Sequence, residues 1–176
     1  MTNDRLRWIQ PAIEPGYHEL RAGDEQPIAT LRFEPRPQVA WGYTDRHRAT
    51  AQAGSAHWDF WIERSGLAGF LGLKAAVRIT GTHDGSLTAG TNFINGTLQL
   101  TDGRQFQWSG GASRRGSSTF SDQGGRLLIR FREGSMTERV NTFLEADPEA
   151  LTRPVEMMLI ALGLYLRLAM TKVFRR

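Results

Sequence analysis

The chain has 176 residues, 40% hydrophobic and 23% charged, which is the composition of one globular domain with a substantial core rather than of a disordered segment. It has no cysteine, which excludes disulfides, thiolate nucleophiles and Cys-ligated zinc. The net charge is +4, and of the 22 basic residues all but Lys74 and Lys172 are arginine; this tilts the chain toward anionic partners without requiring one.

Residues 1–15 carry Pro11 and Pro15 and read as an extended lead-in, with neither the apolar core nor the small-residue cleavage site of a secretory signal. Residues 16–20 and 28–33 read as two strands joined by a polar turn around Gly23 and Asp24. Pro35 and Pro37 end the second strand, because proline removes a donor and restrains its predecessor. Residues 39–54 predict one or two short strands around Arg46, His47 and Arg48. Residues 57–63 alternate well, with Trp58, Phe60 and Ile62 on one face and Asp59, Trp61 and Glu63 on the other. Trp58 and Trp108 are predicted core residues, and Trp61, on the opposite face from Trp58, is predicted either to pack a second layer or to line a groove. Residues 67–73 and 75–80 follow as short strands.

Between residues 87 and 108 the pattern predicts two hairpins. Asn95-Gly96 fits a two-residue turn that pairs Phe93 with Leu98. A two-residue turn at Asp102-Gly103 would mix faces. A three-residue loop, Thr101-Asp102-Gly103, keeps the apolar face together by pairing Leu98 with Phe106 and Gln99 with Gln105. Residues 109–116 form a Gly/Ser-rich loop with two adjacent arginines. Residues 117–120, 126–132 and 138–145 read as the remaining strands, with Leu127, Ile129 and Phe131 sharing a face. Asp147 and Pro148 then have the cap and first-turn chemistry of a helix start.

The chain ends in a hydrophobic helix. Residues 157–166 carry no charge, and a helix over 155–170 is roughly 24 Å long, short of a bilayer span of about 20 apolar residues. A helix apolar on nearly all sides must be buried. After a long series of strands, the expectation is a mainly β domain: a closed antiparallel barrel over 16–146 around a buried C-terminal helix over 148–174, kinked at Pro154. Glu156, Gly163 and Arg167 fall within about 20° of one another around this helix. The two charges are therefore expected to mark opposite barrel mouths, and Gly163 to allow one wall to approach closely.

No residues assemble a known catalytic motif. His18, His47, His57 and His83 lack metal-site spacing and are expected at the surface or in turns; no nucleophile elbow or phosphate-binding Gly loop with its lysine is present. No metal or cofactor is implied. A small hydrolase using carboxylates or histidines at a barrel mouth is the alternative to a binding domain. The candidate anion-binding residues are Arg114, Arg115, Lys172, Arg175 and Arg176, suited to an anionic lipid or another phosphate-bearing ligand. Basic residues are not interleaved with aromatics in the manner of nucleic-acid binders.

The opening hairpin (Tyr17-His18-Glu19-Leu20 to Ile28-Ala29-Thr30-Leu31-Arg32-Phe33), the stretch Leu98-Gln99-Leu100-Thr101-Asp102-Gly103-Arg104-Gln105-Phe106-Gln107-Trp108 and the final helix resemble, in that order, the tubby-like C-terminal superfamily, which includes the plant LURP-one-related proteins and the phospholipid scramblases. The resemblance implies a closed barrel of roughly twelve strands threaded by its last helix. It also implies membrane association or phosphoinositide binding, and a cytoplasmic protein peripheral to the membrane.

Overall fold

A computed structural model describes residues 6–11, 16–23, 26–34, 48–63, 74–90, 93–110, 116–134 and 140–173. Twelve strands follow in chain order: β1 Leu6–Ile9, β2 Tyr17–Ala22, β3 Ala29–Phe33, β4 Arg48–Ala53, β5 Ala56–Glu63, β6 Lys74–Gly81, β7 Gly85–Gly90, β8 Asn95–Leu100, β9 Gln105–Ser109, β10 Ser118–Asp122, β11 Leu127–Glu133 and β12 Val140–Ala146. Each pairs antiparallel with its chain neighbours, and β1 pairs with β12, so the sheet is a closed barrel without an edge. A short 3-10 helix, Pro148–Thr152, and one α-helix, α1 Pro154–Val173, complete the chain.

Alternation sets the inner face. Trp58, Phe60 and Ile62 on β5, Val77 and Ile79 on β6, Leu98 and Leu100 on β8, and Phe106 and Trp108 on β9 are all buried. The predicted three-residue loop is present: Leu98 faces Phe106 and Gln99 faces Gln105, and Gly103 takes φ 91°, the left-handed conformation the bulge needs.

Other expectations are corrected. The lead-in contains β1, whose Trp8 is fully buried between Leu20 and Thr142; Pro11 follows this strand instead of precluding it. Asn95-Gly96 is not a turn but the start of β8, with Gly96 opposite Ala89 and Trp108. The glycine is there for close approach: a Cβ would lie 2.9 Å from the Thr88 carbonyl and 3.0 Å from Leu87 Cδ2. The face shared by Leu127, Ile129 and Phe131 breaks at a bulge, because Phe120 pairs with Ile129 but Ser121 with Leu127. Leu127 is therefore 45% exposed while Ile129 and Phe131 are fully buried. Trp61 is half-buried on the outer wall, with the Arg48 guanidinium 5.7 Å from its ring centroid. The strand expected over 67–73 lies outside the described residues.

The C-terminal segment breaks rather than kinks. Asp147 caps the 3-10 helix, its side chain accepting from the Glu149 N–H at 3.0 Å. Arg153 is then extended (φ −102°, ψ 121°), as the residue before a proline prefers, and Pro154 opens α1 at the position where its missing N–H costs nothing. From Val155 to Leu166 every α1 side chain except Glu156 is buried, within the same apolar cluster as the strands. Tyr165 stacks on Phe33 of β3 at 5.7 Å and tilts against Phe60 of β5 at 5.5 Å. Burial pushes its phenol far above the ordinary tyrosine range. A Cβ on Gly163 would fall 2.0 Å from Phe131 Cζ of β11, so the close approach expected of this glycine is present.

Candidate functional site

Successive connections in an up-and-down barrel alternate between its two mouths. One mouth is built of short turns made by aspartates. Asp84 Oδ1 accepts the Gly81 N–H at 3.0 Å, Asp102 Oδ1 the Arg104 N–H at 3.1 Å, and Asp122 Oδ1 the Arg126 N–H at 2.9 Å. The chain enters α1 here, where Arg153 bridges Glu149 at 2.6 Å and Glu156 at 3.1 Å. The Arg104 side chain holds the Asp102 carboxyl down at about 2. In turn Arg104 is held high by Asp102 and, more weakly, by Glu156. Glu156 thus belongs to this mouth.

Arg167 belongs to the other. Its Nη1 donates to Ser118 Oγ at 2.7 Å and to the Gly116 carbonyl at 3.3 Å. Ser118 is fully buried, and its hydroxyl donates to the Gly110 carbonyl at 3.1 Å. Gly110 and Gly116 lie on either side of residues 111–115. One buried relay, guanidinium to hydroxyl to carbonyl, therefore ties down both ends of the segment that carries Arg114 and Arg115. The base is tightened further at Phe93, which is held at φ 54°. The Phe93 carbonyl accepts from Trp108 Nε1 at 2.8 Å, and the Gly110 N–H donates to the Ile94 carbonyl.

The polar interior is concentrated at this same mouth. Among the described residues the buried polar side chains of the inner wall, besides Ser118, are His18, near the start of β2, and Thr142, near the start of β12. All three strands begin here. His18 is buried edge-on to Phe33 at 6.0 Å, so it is not the surface histidine the sequence predicts. Burial pulls the Arg167 guanidinium below its ordinary range, and Glu133 partly opposes this. Among the described residues no carboxylate lies within ion-pair distance of Arg167. A part-buried cation hydrogen-bonded to neutral acceptors carries a desolvation cost that Glu133 offsets only in part.

Of the predicted anion-binding residues, Lys172 falls in the last turn of α1, downstream of Arg167. Arg114, Arg115, Arg175 and Arg176 lie outside the described residues. The described structure links the ends of the Arg114–Arg115 segment to Arg167. The sequence reading missed Ser118; its only signal is a serine sharing an inward face with Phe120. Ser118→Ala is expected to cost about 1.5 kcal/mol, the scale of one hydrogen bond to a charged donor, seen as a lower melting midpoint in denaturant.

The described histidines and carboxylates are largely engaged elsewhere. His83 stacks on Trp58, accepting from its Nε1 at 3.4 Å. Glu19, Glu63 and Glu145 pair with Arg21, Arg78 and Arg132, and Asp59 accepts from Thr50 at 2.8 Å. Among the described residues no group of three or more acidic or histidine side chains could hold a metal, and no helix is long and apolar enough to cross a membrane. No family model, characterised protein or solved structure matches the chain.

Proposed function

We propose that this chain is a non-enzymatic, tubby-like binding domain whose Arg167 mouth engages an anionic group, such as a lipid head group or another phosphate-bearing ligand at a membrane surface. The barrel is closed around α1 as its central core, and the mouth where that helix emerges is the working face. Support for the central helix comes from its two sides. Gly163 and Tyr165 point about 200° apart on an α-helix, and they meet β11 on one side and β3 and β5 on the other. Those strands occupy opposite arcs of the closed order.

The observation that carries the function is the Arg167–Ser118 relay, which joins Gly110 and Gly116 on either side of the segment 111–115. It ties Gly110 and Gly116, the residues flanking that segment, to a part-buried cation that has no carboxylate within ion-pair distance among the described residues. Arginine presents a planar fork matched to phosphate oxygens.

The test is vesicle co-sedimentation of the full chain with phosphatidylserine-containing and pure phosphatidylcholine vesicles, with inorganic phosphate as competitor. The anionic vesicles should bind, and more weakly as salt rises. Replacing both Arg114 and Arg115 by Ala should weaken binding about 30-fold, at about 1 kcal/mol per basic residue. Competition by free phosphate would identify a soluble phosphate ligand in place of a lipid surface. Equal binding to both vesicle types, or to neither with no effect of phosphate, would remove the proposal.

A further inference from the structure

The outer wall of β7 to β10 differs from the rest of the barrel. Elsewhere the outward positions include charged side chains, some of them ion-paired, as in Arg78 with Glu63 and Arg132 with Glu145. On these four strands every outward side chain is uncharged and hydrophilic or a glycine: Ser86 to Gly90 on β7, Asn95 to Gln99 on β8, Gln105 to Ser109 on β9, and Thr119 and Ser121 on β10. In a chain with 22 basic and 18 acidic residues such a sector calls for an explanation.

The sector is also concave. A shallow, widely open depression lies on it, lined by Thr88, Asn95, Thr97, Gln107, Ser109 and Ser121, with Gly96 and Trp108 in its floor. Trp108 is itself buried, so the floor is largely strand backbone. The depth comes from short side chains, and at Gly90 a Cβ would meet nothing within 4 Å. Thr88, Thr97, Gln107 and Ser121 are consecutive cross-strand partners. Four strands at about 4.8 Å spacing make this row about 15 Å long. Thr97 Oγ1 donates to Gln107 Oε1 at 3.1 Å. That contact fixes the amide and leaves Gln107 Nε2 as a donor without a partner among the described residues.

We propose that this groove binds a neutral, hydroxylated chain: an oligosaccharide of about three sugars. The chemistry excludes the competitors. Among the described residues the lining offers no cation to an anion. A protein interface would carry aromatic, Met or Arg anchors, and none stands on this wall. Hydroxyls and amides are both donors and acceptors, as sugar hydroxyls are, and a row of them can meet successive sugars without burying a charge. The site is distinct from the Arg167 mouth and does not depend on it.

The test is a titration of the isotope-labelled full chain with cellotriose, maltotriose and chitotriose, followed by amide chemical shifts. Saturable shifts are expected at Thr88, Thr97, Gln107, Ser109 and Ser121 for at least one of the three, with millimolar affinity. Thr97→Val and Gln107→Ala should each weaken that binding about two- to tenfold, one neutral hydrogen bond apiece. Both positions face outward, so the variants should melt as the parent does. Thr88→Lys, which projects a charged chain into the groove, should abolish binding. Three results overturn the proposal: no saturable shift with any of the three sugars, saturable shifts confined to residues outside the groove, or an oligomer that Thr97→Arg converts to a monomer. The last would make the wall an interface between copies of this chain.

Discussion

Deleting residues 154–176 is expected to abolish cooperative folding. Nine large apolar side chains of α1 are buried: Val155, Met157, Met158, Leu159, Ile160, Leu162, Leu164, Tyr165 and Leu166. At about 1.5–3 kcal/mol each, their burial is comparable to or larger than the roughly 5–15 kcal/mol by which a domain of this kind is stable. The inner wall offers no substitute. With α1 as the core proposed above, facing strands would have to close over the volume of a helix, and interiors tolerate voids poorly. Circular dichroism of the truncated chain should show no sigmoidal melt, and the protein should aggregate or expose apolar surface to a dye. A soluble truncation with a cooperative transition would show that the helix is dispensable to the barrel.

The second large effect is at Gly163. On an exposed helix, replacing Gly by Leu or Ala gains up to about 1 kcal/mol of helix propensity. Here the sign should reverse. The first added carbon would already sit 2.0 Å from Phe131 Cζ and 2.5 Å from Cε2. Phe131 cannot swing away freely, because it is fully buried against Trp108 at 5.9 Å and Phe120 at 6.4 Å. Gly163→Leu should therefore cost 3 kcal/mol or more, at or beyond the upper end of the usual overpacking range of about 1–3 kcal/mol. For a chain of this length each kcal/mol lowers the melting temperature by about 2–4 °C. Gly163→Ala should also destabilise, and by less. Pairing it with Phe131→Leu should recover part of the loss, since contacting residues couple. A Gly163→Leu protein that melts at or above the parental temperature would contradict the close packing of α1 on β11.

Much of this architecture was legible in the chain because strand alternation and helix periodicity are local signals. The Trp58, Phe60 and Ile62 face, the Thr101–Gly103 loop and the final helix each follow from the spacing of apolar residues with one turn or cap. The failures share a cause: they depend on partners distant in sequence. Asn95-Gly96 has the composition of a turn, but its glycine answers the close approach of Thr88 and Leu87 across the sheet. Four residues around Trp8 are too few for a pattern to emerge, and only pairing with β12 and β2 makes them a strand. The bulge that exposes Leu127 is a property of the β10–β11 register. At the candidate site the same division holds. Arg167 stands out as a charge in an apolar helix. Its partner Ser118 lies 49 positions away and carries no sequence signal beyond its parity with Phe120.

Whether α1 is the core of the barrel can be measured directly, because the chain has no cysteine. Ala161 and Ala169 lie on the helix at 1% and 0% exposure, whereas Gln99 faces outward on β8. Single Ala161→Cys, Ala169→Cys and Gln99→Cys proteins would be labelled with a thiol reagent under native conditions. Placement of α1 at the core requires that the Gln99→Cys thiol react at once, while the two helix thiols react only at the rate of global unfolding and become accessible together in denaturant. Helix thiols that react in the native protein as fast as the Gln99→Cys thiol would contradict it.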